Sequence, residues 1–266
     1  MAAHAPVYIG TCGFSYPEWI EAGIYPQATK SAQMLELYRH LFPVVELNYT
    51  WYQMVRAEAI ERMLAASDPL LFCAKLTRTM THDITEDWRH QAALYCQGIA
   101  PLWESGRLVS VLVQLPPTFR RTPDNRSYLA RLFDALHPLP LAVEFRHRSW
   151  AQESVFNGLE QRRITLVSVD GPPLAELFPA LAVVTNTDLF YLRLHGRNSQ
   201  GWRSGSKQQQ FDYDYTEQEL ELWSKERIPQ MRAACRSGVI LFNNHVAGQA
   251  VRNAQTMARL LRNEDG

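Results

Sequence analysis

Val109-Ser110-Val111-Leu112-Val113-Gln114-Leu115 is a short, nearly continuous apolar run. A half-exposed strand alternates apolar and polar residues, whereas an unbroken run suits a parallel strand covered on both faces. Seven other runs rich in β-branched and aromatic residues are predicted as strands with it: Val7–Gly10, Val44–Asn48, Leu70–Leu76, Leu141–Phe145, Thr165–Val169, Phe190–Leu194 and Val239–Phe242. The intervals mostly hold helical patterns. Met34, Leu35, Tyr38, Leu41 and Phe42 recur at helical spacing after the first run, and Leu129, Leu132, Phe133 and Leu136 after the fourth. Thr216 with Glu219 reads as a capping box that opens a long helix, and Ala250, Ala254, Met257 and Leu261 line a closing one. Strands alternating with helices predict an α/β fold, a single (β/α)8 TIM-type barrel over residues 1–266. An open doubly wound sheet is the alternative, but no Gly-x-Gly-x-x-Gly turn follows any run.

The composition agrees with a globular chain. Of 266 residues, 46% are hydrophobic and 20% charged, which excludes collagen-like, coiled-coil and wholly disordered readings. Lys+Arg and Asp+Glu number 27 each, so the formal charge is zero, and a polyanion site needs local segregation of charge. Cys12, Cys73, Cys96 and Cys235 are far apart with no C-x-x-C pair, as expected for reduced, buried thiols. Met1–Gly10 holds no basic stretch followed by an apolar run, and no stretch approaches the ~20 apolar residues that span a bilayer. The expectation is a cytoplasmic protein without membrane contact. Nothing in the sequence fixes an oligomeric state.

Barrel enzymes carry their chemistry at the C-terminal ends of the strands. Here those ends are polar. They supply Glu46 and Asn48, Lys75, Gln114, Glu144 with Arg146 and His147, Asp170, Arg193 with His195 and Arg197, and Asn243 with Asn244 and His245. Residues two apart on a strand face one side, which pairs Glu46 with Asn48, Glu144 with Arg146, and Arg193 with His195. Charges inside a barrel must neutralise one another or a ligand. One reading is an ion-pair lattice of Glu46, Lys75, Glu144 and Arg146 that plugs the top layer; the other is a functional site.

These residues sit in motifs that carry a resemblance. The runs Gly10-Thr11-Cys12-Gly13-Phe14-Ser15-Tyr16-Pro17-Glu18-Trp19, Val45-Glu46-Leu47-Asn48-Tyr49-Thr50-Trp51-Tyr52, Phe72-Cys73-Ala74-Lys75, Gln114-Leu115-Pro116-Pro117, Val143-Glu144-Phe145-Arg146-His147, Arg193-Leu194-His195-Gly196-Arg197 and Phe242-Asn243-Asn244 resemble those of the YecE-like family, also called domain of unknown function 72. The resemblance runs in order along essentially the whole chain. It implies a (β/α)8 barrel and no established reaction. Cys12 stands where the family pattern usually has Ser, and Phe14 where it usually has Trp.

Several chemistries compete for the mouth. From Leu189 to Phe211 there is no acidic residue, while Arg193, Arg197, Arg203 and Lys207 supply four cations among Gly196, Gly201 and Gly205. A mobile Gly-rich loop after the seventh strand suits a phosphate or carboxylate. Exposed rings such as Trp51, Tyr52, Trp150 and Trp202 would let a nucleic acid stack. Glu46, Glu144, Asp170, His195 and His245 are metal-ligand types without ligand spacing, so no dedicated metal set or other cofactor is assigned. The leading expectation is an enzyme, a hydrolase or a lyase or isomerase, that binds a small phosphate- or carboxylate-bearing substrate. Its acid–base set is Glu46, Lys75, Glu144, Asp170 and His195, with Asn48, Gln114, Arg146, Arg193, Arg197, Asn243 and Asn244 holding the substrate. Lys75 could form a Schiff base if its pKa were depressed, but two glutamates beside it should raise that pKa and pair with it. One alternative is a metal-dependent phosphodiesterase acting on nucleic acid, by fold analogy with endonuclease IV. Another is a non-catalytic barrel that binds an anion or a nucleic acid.

Overall fold

Each of the eight predicted runs forms a strand in the structure, a computed structural model that describes residues 5–265, the side chains of Lys207 and Asp265 apart. The expectation for the first four residues of the chain lies outside the described residues. In chain order the strands are β1 (Val7–Cys12), β2 (Val44–Leu47), β3 (Leu71–Lys75), β4 (Leu108–Gln114), β5 (Leu141–Glu144), β6 (Thr165–Asp170), β7 (Phe190–Leu194) and β8 (Gly238–Phe242). All neighbours are parallel, and β8 pairs with β1 to close the barrel. At the β1–β2 seam Gly10 is required, because a Cβ there would lie 2.0 Å from the Val44 carbonyl oxygen.

The outer layer follows the apolar periodicity. Met34, Leu35 and Tyr38 of helix Ser31–Tyr38 are buried, as are Leu129, Leu132, Phe133 and Leu136 of helix Pro123–Leu136. Ala250, Ala254, Met257 and Leu261 of the closing helix Gln249–Asp265 are buried as well. The capping box forms as expected, Thr216 accepting from the Glu219 amide. The helix that it opens is not continuous. Glu217–Leu222 passes through a π turn, Trp223–Arg227, into Ile228–Ala234. Pro229 explains the interruption, since its ring excludes the carbonyl four residues earlier and it has no N–H to donate.

Two connections at the C-terminal end depart from a bare βα unit. Between β6 and β7 no helix forms among the described residues, and the chain there carries Pro172, Pro173 and Pro179. After β7 the Gly-rich segment folds into two short helices, Ser199–Ser204 and Lys207–Gln210, each capped by a side chain, Asn198 and Ser206. Gly201 lets the two pack, since a Cβ there would lie 2.0 Å from the Gln209 carbonyl oxygen. This segment is a folded flap rather than an open loop. No helix among the described residues is long and apolar enough to cross a membrane.

Candidate active site at the C-terminal mouth

The alternation of β2, β5 and β7 points Glu46, Glu144, Tyr191 and Arg193 into the barrel, where all four are buried. Arg193 is the hub. Its Nη2 donates to Glu46 Oε1 at 2.6 Å and its Nη1 to Glu144 Oε2. Nη2 also lies 3.4 Å from Cys12 Sγ. The second oxygen of Glu46 accepts from the Tyr191 hydroxyl at 2.6 Å, and the second oxygen of Glu144 accepts from Arg146 Nε. Two carboxylates and two guanidiniums therefore form a lattice of zero net charge, which is how buried charge becomes tolerable.

That arrangement decides what each carboxylate can do. Burial pushes the Glu144 carboxyl up, but Arg146 and Arg193 together outweigh burial and hold it well below the usual carboxylate range. A group so firmly ionised is a weak proton acceptor near neutral pH. Glu46 has a donor on each oxygen. The expected glutamate base is thus spoken for at both candidate positions.

Lys75 overturns its expectation in the other direction. Among the described residues no carboxylate oxygen lies within ion-pairing distance of its Nζ, which donates to Gln114 Oε1 at 3.2 Å and sits 5.7 Å from the centre of the Trp51 ring. Burial first, and the Arg193 charge second, depress its pKa from 10.5 to about 8 against the pull of Glu46 and Glu144. The arginines have taken the carboxylates, so the lattice excludes the lysine.

His195, two residues after Arg193, is also buried. Its Nε2 lies 3.3 Å from both Glu144 Oε1 and Arg146 Nη2, and its Nδ1 lies 3.1 Å from Asn243 Nδ2. Burial, then the Arg146 charge, push its pKa down to about 3, so the ring is neutral. With the Asn243 amide donating to Nδ1, the single ring proton sits on Nε2 and points at Glu144.

Arg146 and His195 form one end of a cavity of about 650 Å³ over β5 and β6. Phe145, Leu177 and Phe178, with the prolines of the β6–β7 connection, give the apolar part of its wall, and Arg148 lines it as well. Trp202, from the first flap helix, completes the lining and stacks on the Arg146 guanidinium at 5.1 Å. Arg146 Nη1 has no acceptor among the described residues, and the Trp202 indole Nε1 is shielded from solvent without one. A larger cavity, about 850 Å³, opens at the opposite end around Leu108, Pro140 and Thr165. In barrels that end serves stability rather than chemistry.

Other predicted site residues are placed elsewhere. Asp170 accepts four hydrogen bonds, two from Arg197 (2.9 and 2.7 Å) and one each from Tyr215 and Trp223 (both 2.8 Å). Arg197 also pairs with Glu219 at 3.1 Å, so these two residues fasten the flap to the barrel. Asn244 turns toward the closing helix and donates to Tyr213 O and Asn253 Oδ1. Asn48, half-buried, precedes the turn of helix Tyr49–Tyr52, while the Tyr16 hydroxyl donates to Cys12 O at 2.6 Å. Trp150 is not an exposed platform; it is buried between Phe119 and Phe145 with its Nε1 on Phe119 O. Of the four cations expected in the loop, Arg193 and Arg197 are paired within the fold, and the Lys207 side chain lies outside the described residues. No three His, Cys, Asp or Glu side chains gather as a metal site among the described residues. Tyr191 and Trp202 complete the site without a motif of their own. Tyr191 was readable by parity, two residues before Arg193 on one strand.

The profile of a family described as protein of unknown function DUF72 matches residues 8–266, nearly the whole chain. The chain belongs to the DUF72 family. The expected YecE-like resemblance names this same family. A DUF72 family protein from Thermotoga maritima, known from its crystal structure, is 33% identical and superimposes with a TM-score of 0.87, over 97% of this chain and 99% of its own. A DUF72 family protein from Enterococcus faecalis is 26% identical with a TM-score of 0.85, over 96% and 95%. The UPF0759 protein YunF of Bacillus subtilis is 29% identical over 275 residues, 96% of this chain and 94% of its own. DUF72 membership and the barrel thus agree.

Proposed function

We propose that the chain is an enzyme that binds a small carboxylate- or phosphate-bearing substrate at the C-terminal mouth, with Arg146 as the anion anchor. The observation that carries this reading is the half-used guanidinium. Nε is committed to Glu144, Nη2 faces His195, and Nη1 has no acceptor among the described residues, on a side chain that lines the cavity. Stacking on Trp202 holds the plane of the fork, and a fixed fork matches two oxygens of an anion with little further ordering. The apolar wall suits a substrate with an aliphatic or aromatic body behind its anionic end.

Roles then divide by environment. Glu144 and Glu46 position the arginines rather than move protons. Neutral His195 serves as a hydrogen-bonding group beside the anion, without adding charge. The amine of Lys75 is the group at the mouth whose depressed pKa suits proton transfer near neutral pH.

Titration calorimetry with benzoate and with phenyl phosphate tests the anchor. Wild type should bind at least one of them, and Arg146→Met should weaken binding about tenfold or more, the worth of a hydrogen bond to a charged group. Equal affinity in the two proteins would overturn the assignment.

A further inference from the structure

The chain has only four lysines, Lys30, Lys75, Lys207 and Lys225, against 23 arginines. One of the four stands at the C-terminal end of a central barrel strand, which is an expensive place for an amine without a counter-ion. The carboxylates that would neutralise it are already filled, Glu144 by Arg146 and Arg193 and Glu46 by Arg193 and the Tyr191 hydroxyl. Among the described residues its Nζ keeps a single hydrogen bond, to the neutral Gln114 side chain, and the residue as a whole is half-buried at the C-terminal end of the barrel. By contrast Lys225 is held by Glu221 at 3.0 Å, and Lys30 is exposed.

We propose that Lys75 is an imine-forming amine that captures a small aldehyde or ketone at the mouth. The neutral amine adds to the carbonyl carbon; the C–N bond forms as the π pair moves to oxygen, which takes a proton from nitrogen. The resulting carbinolamine gives up its hydroxyl with the second amine proton as water, leaving C=N. No oxidant or reductant is needed. Burial without a carboxylate partner, beside the Arg193 cation, keeps about one amine in ten neutral at pH 7, against about one in three thousand for an ordinary lysine. The imine, once protonated, withdraws electrons from the adjacent carbon, which fits a lyase or isomerase rather than a hydrolase. This inference rests on the mouth being the reactive face but not on Arg146.

Trapping with cyanoborohydride decides it. The whole chain is incubated near pH 7 with glyoxylate or with propionaldehyde, reduced in situ, and mapped by peptide mass. Lys75 should carry the carboxymethyl or propyl group at least about tenfold faster than Lys30 and Lys225, and Lys75→Arg should abolish that fast adduct alone. Lys75 modified no faster than Lys30, or a fast adduct that survives Lys75→Arg, would overturn the proposal. Repeating the two probes on Arg146→Met separates the readings. Loss of a preference for glyoxylate reports on the anion anchor, whereas the propionaldehyde adduct at Lys75 should persist.

Discussion

At the scale of single residues, the mouth is organised by competition for two carboxylates, and the arginines win it. A guanidinium presents several donors in one plane and can bridge two acids at once, as Arg193 bridges Glu46 and Glu144; an ammonium cannot replace that geometry. Lys75 is the consequence. Its folded pKa of about 8 lies below the ordinary 10.5, so the unfolded chain holds the proton more tightly and the lysine weakens the fold at pH 7. Lys75→Met should therefore raise stability at pH 7 by about 1 kcal/mol, and the gain should shrink as pH rises toward 10.5. Urea melts at pH 7 and pH 9.5 check this; a loss of stability in Lys75→Met at pH 7 would contradict it. His195 works in the acid range. Its folded pKa of about 3 lies below 6.5, so its contribution is complete above pH 6.5 and is lost progressively as pH falls toward 3. Each pH unit in that window is worth up to about 1.4 kcal/mol per proton. Melts of wild type and His195→Asn at pH 7 and pH 5 should show a drop about 1–2 kcal/mol larger in wild type, and equal drops would refute the neutral, buried histidine. Parity along the strands made Glu46, Glu144, Arg193 and His195 legible as one layer. The sharing was not legible, because which cation reaches which oxygen depends on strands far apart in sequence.

At the scale of elements, the segments around the cavity carry the least sequence pattern. The β6–β7 connection has neither helical nor strand period, only prolines and scattered apolar residues, so nothing in its pattern marks it as the wall of a cavity. The Gly-rich stretch after β7 read as an open loop because its glycines suggest freedom. In the structure they serve contact: Gly201 is there so that one short helix can touch the next. Gly201→Ala should push the two flap helices apart and displace Trp202 from Arg146. Hydrogen exchange should then quicken across residues 198–210 while the barrel strands keep their protection, and benzoate affinity should fall severalfold. Unchanged exchange in the flap would show that the helices do not depend on that contact. The π turn at Trp223–Arg227 was equally hidden, although Pro229 is its local cause. Its effect is to set Trp223 where its indole N–H reaches Asp170.

At the scale of the whole molecule, the eight strand runs were legible because a parallel barrel buries both faces of every strand, which makes the signal local and repeated. The observed strand ends fall within two residues of the predicted ones. The helices covering the sheet were legible for the same reason, through their apolar stripes. What ties the ends of the barrel into a site is different. The lattice joins β1, β2, β5 and β7, and the cavity joins β5, β6, β7 and the flap, so both depend on closure of the sheet rather than on any segment. The two ends of the molecule each hold a cavity, and the proposed anion site is the smaller one, at the C-terminal end. A crystal structure of the whole chain grown with benzoate tests that assignment most directly. A carboxylate should lie within hydrogen-bonding distance of Arg146 Nη1, with the ring against the wall formed by Leu177, Phe178 and Trp202. Benzoate seated instead around Leu108, Pro140 and Thr165, with the Arg146 cavity unchanged, would contradict it.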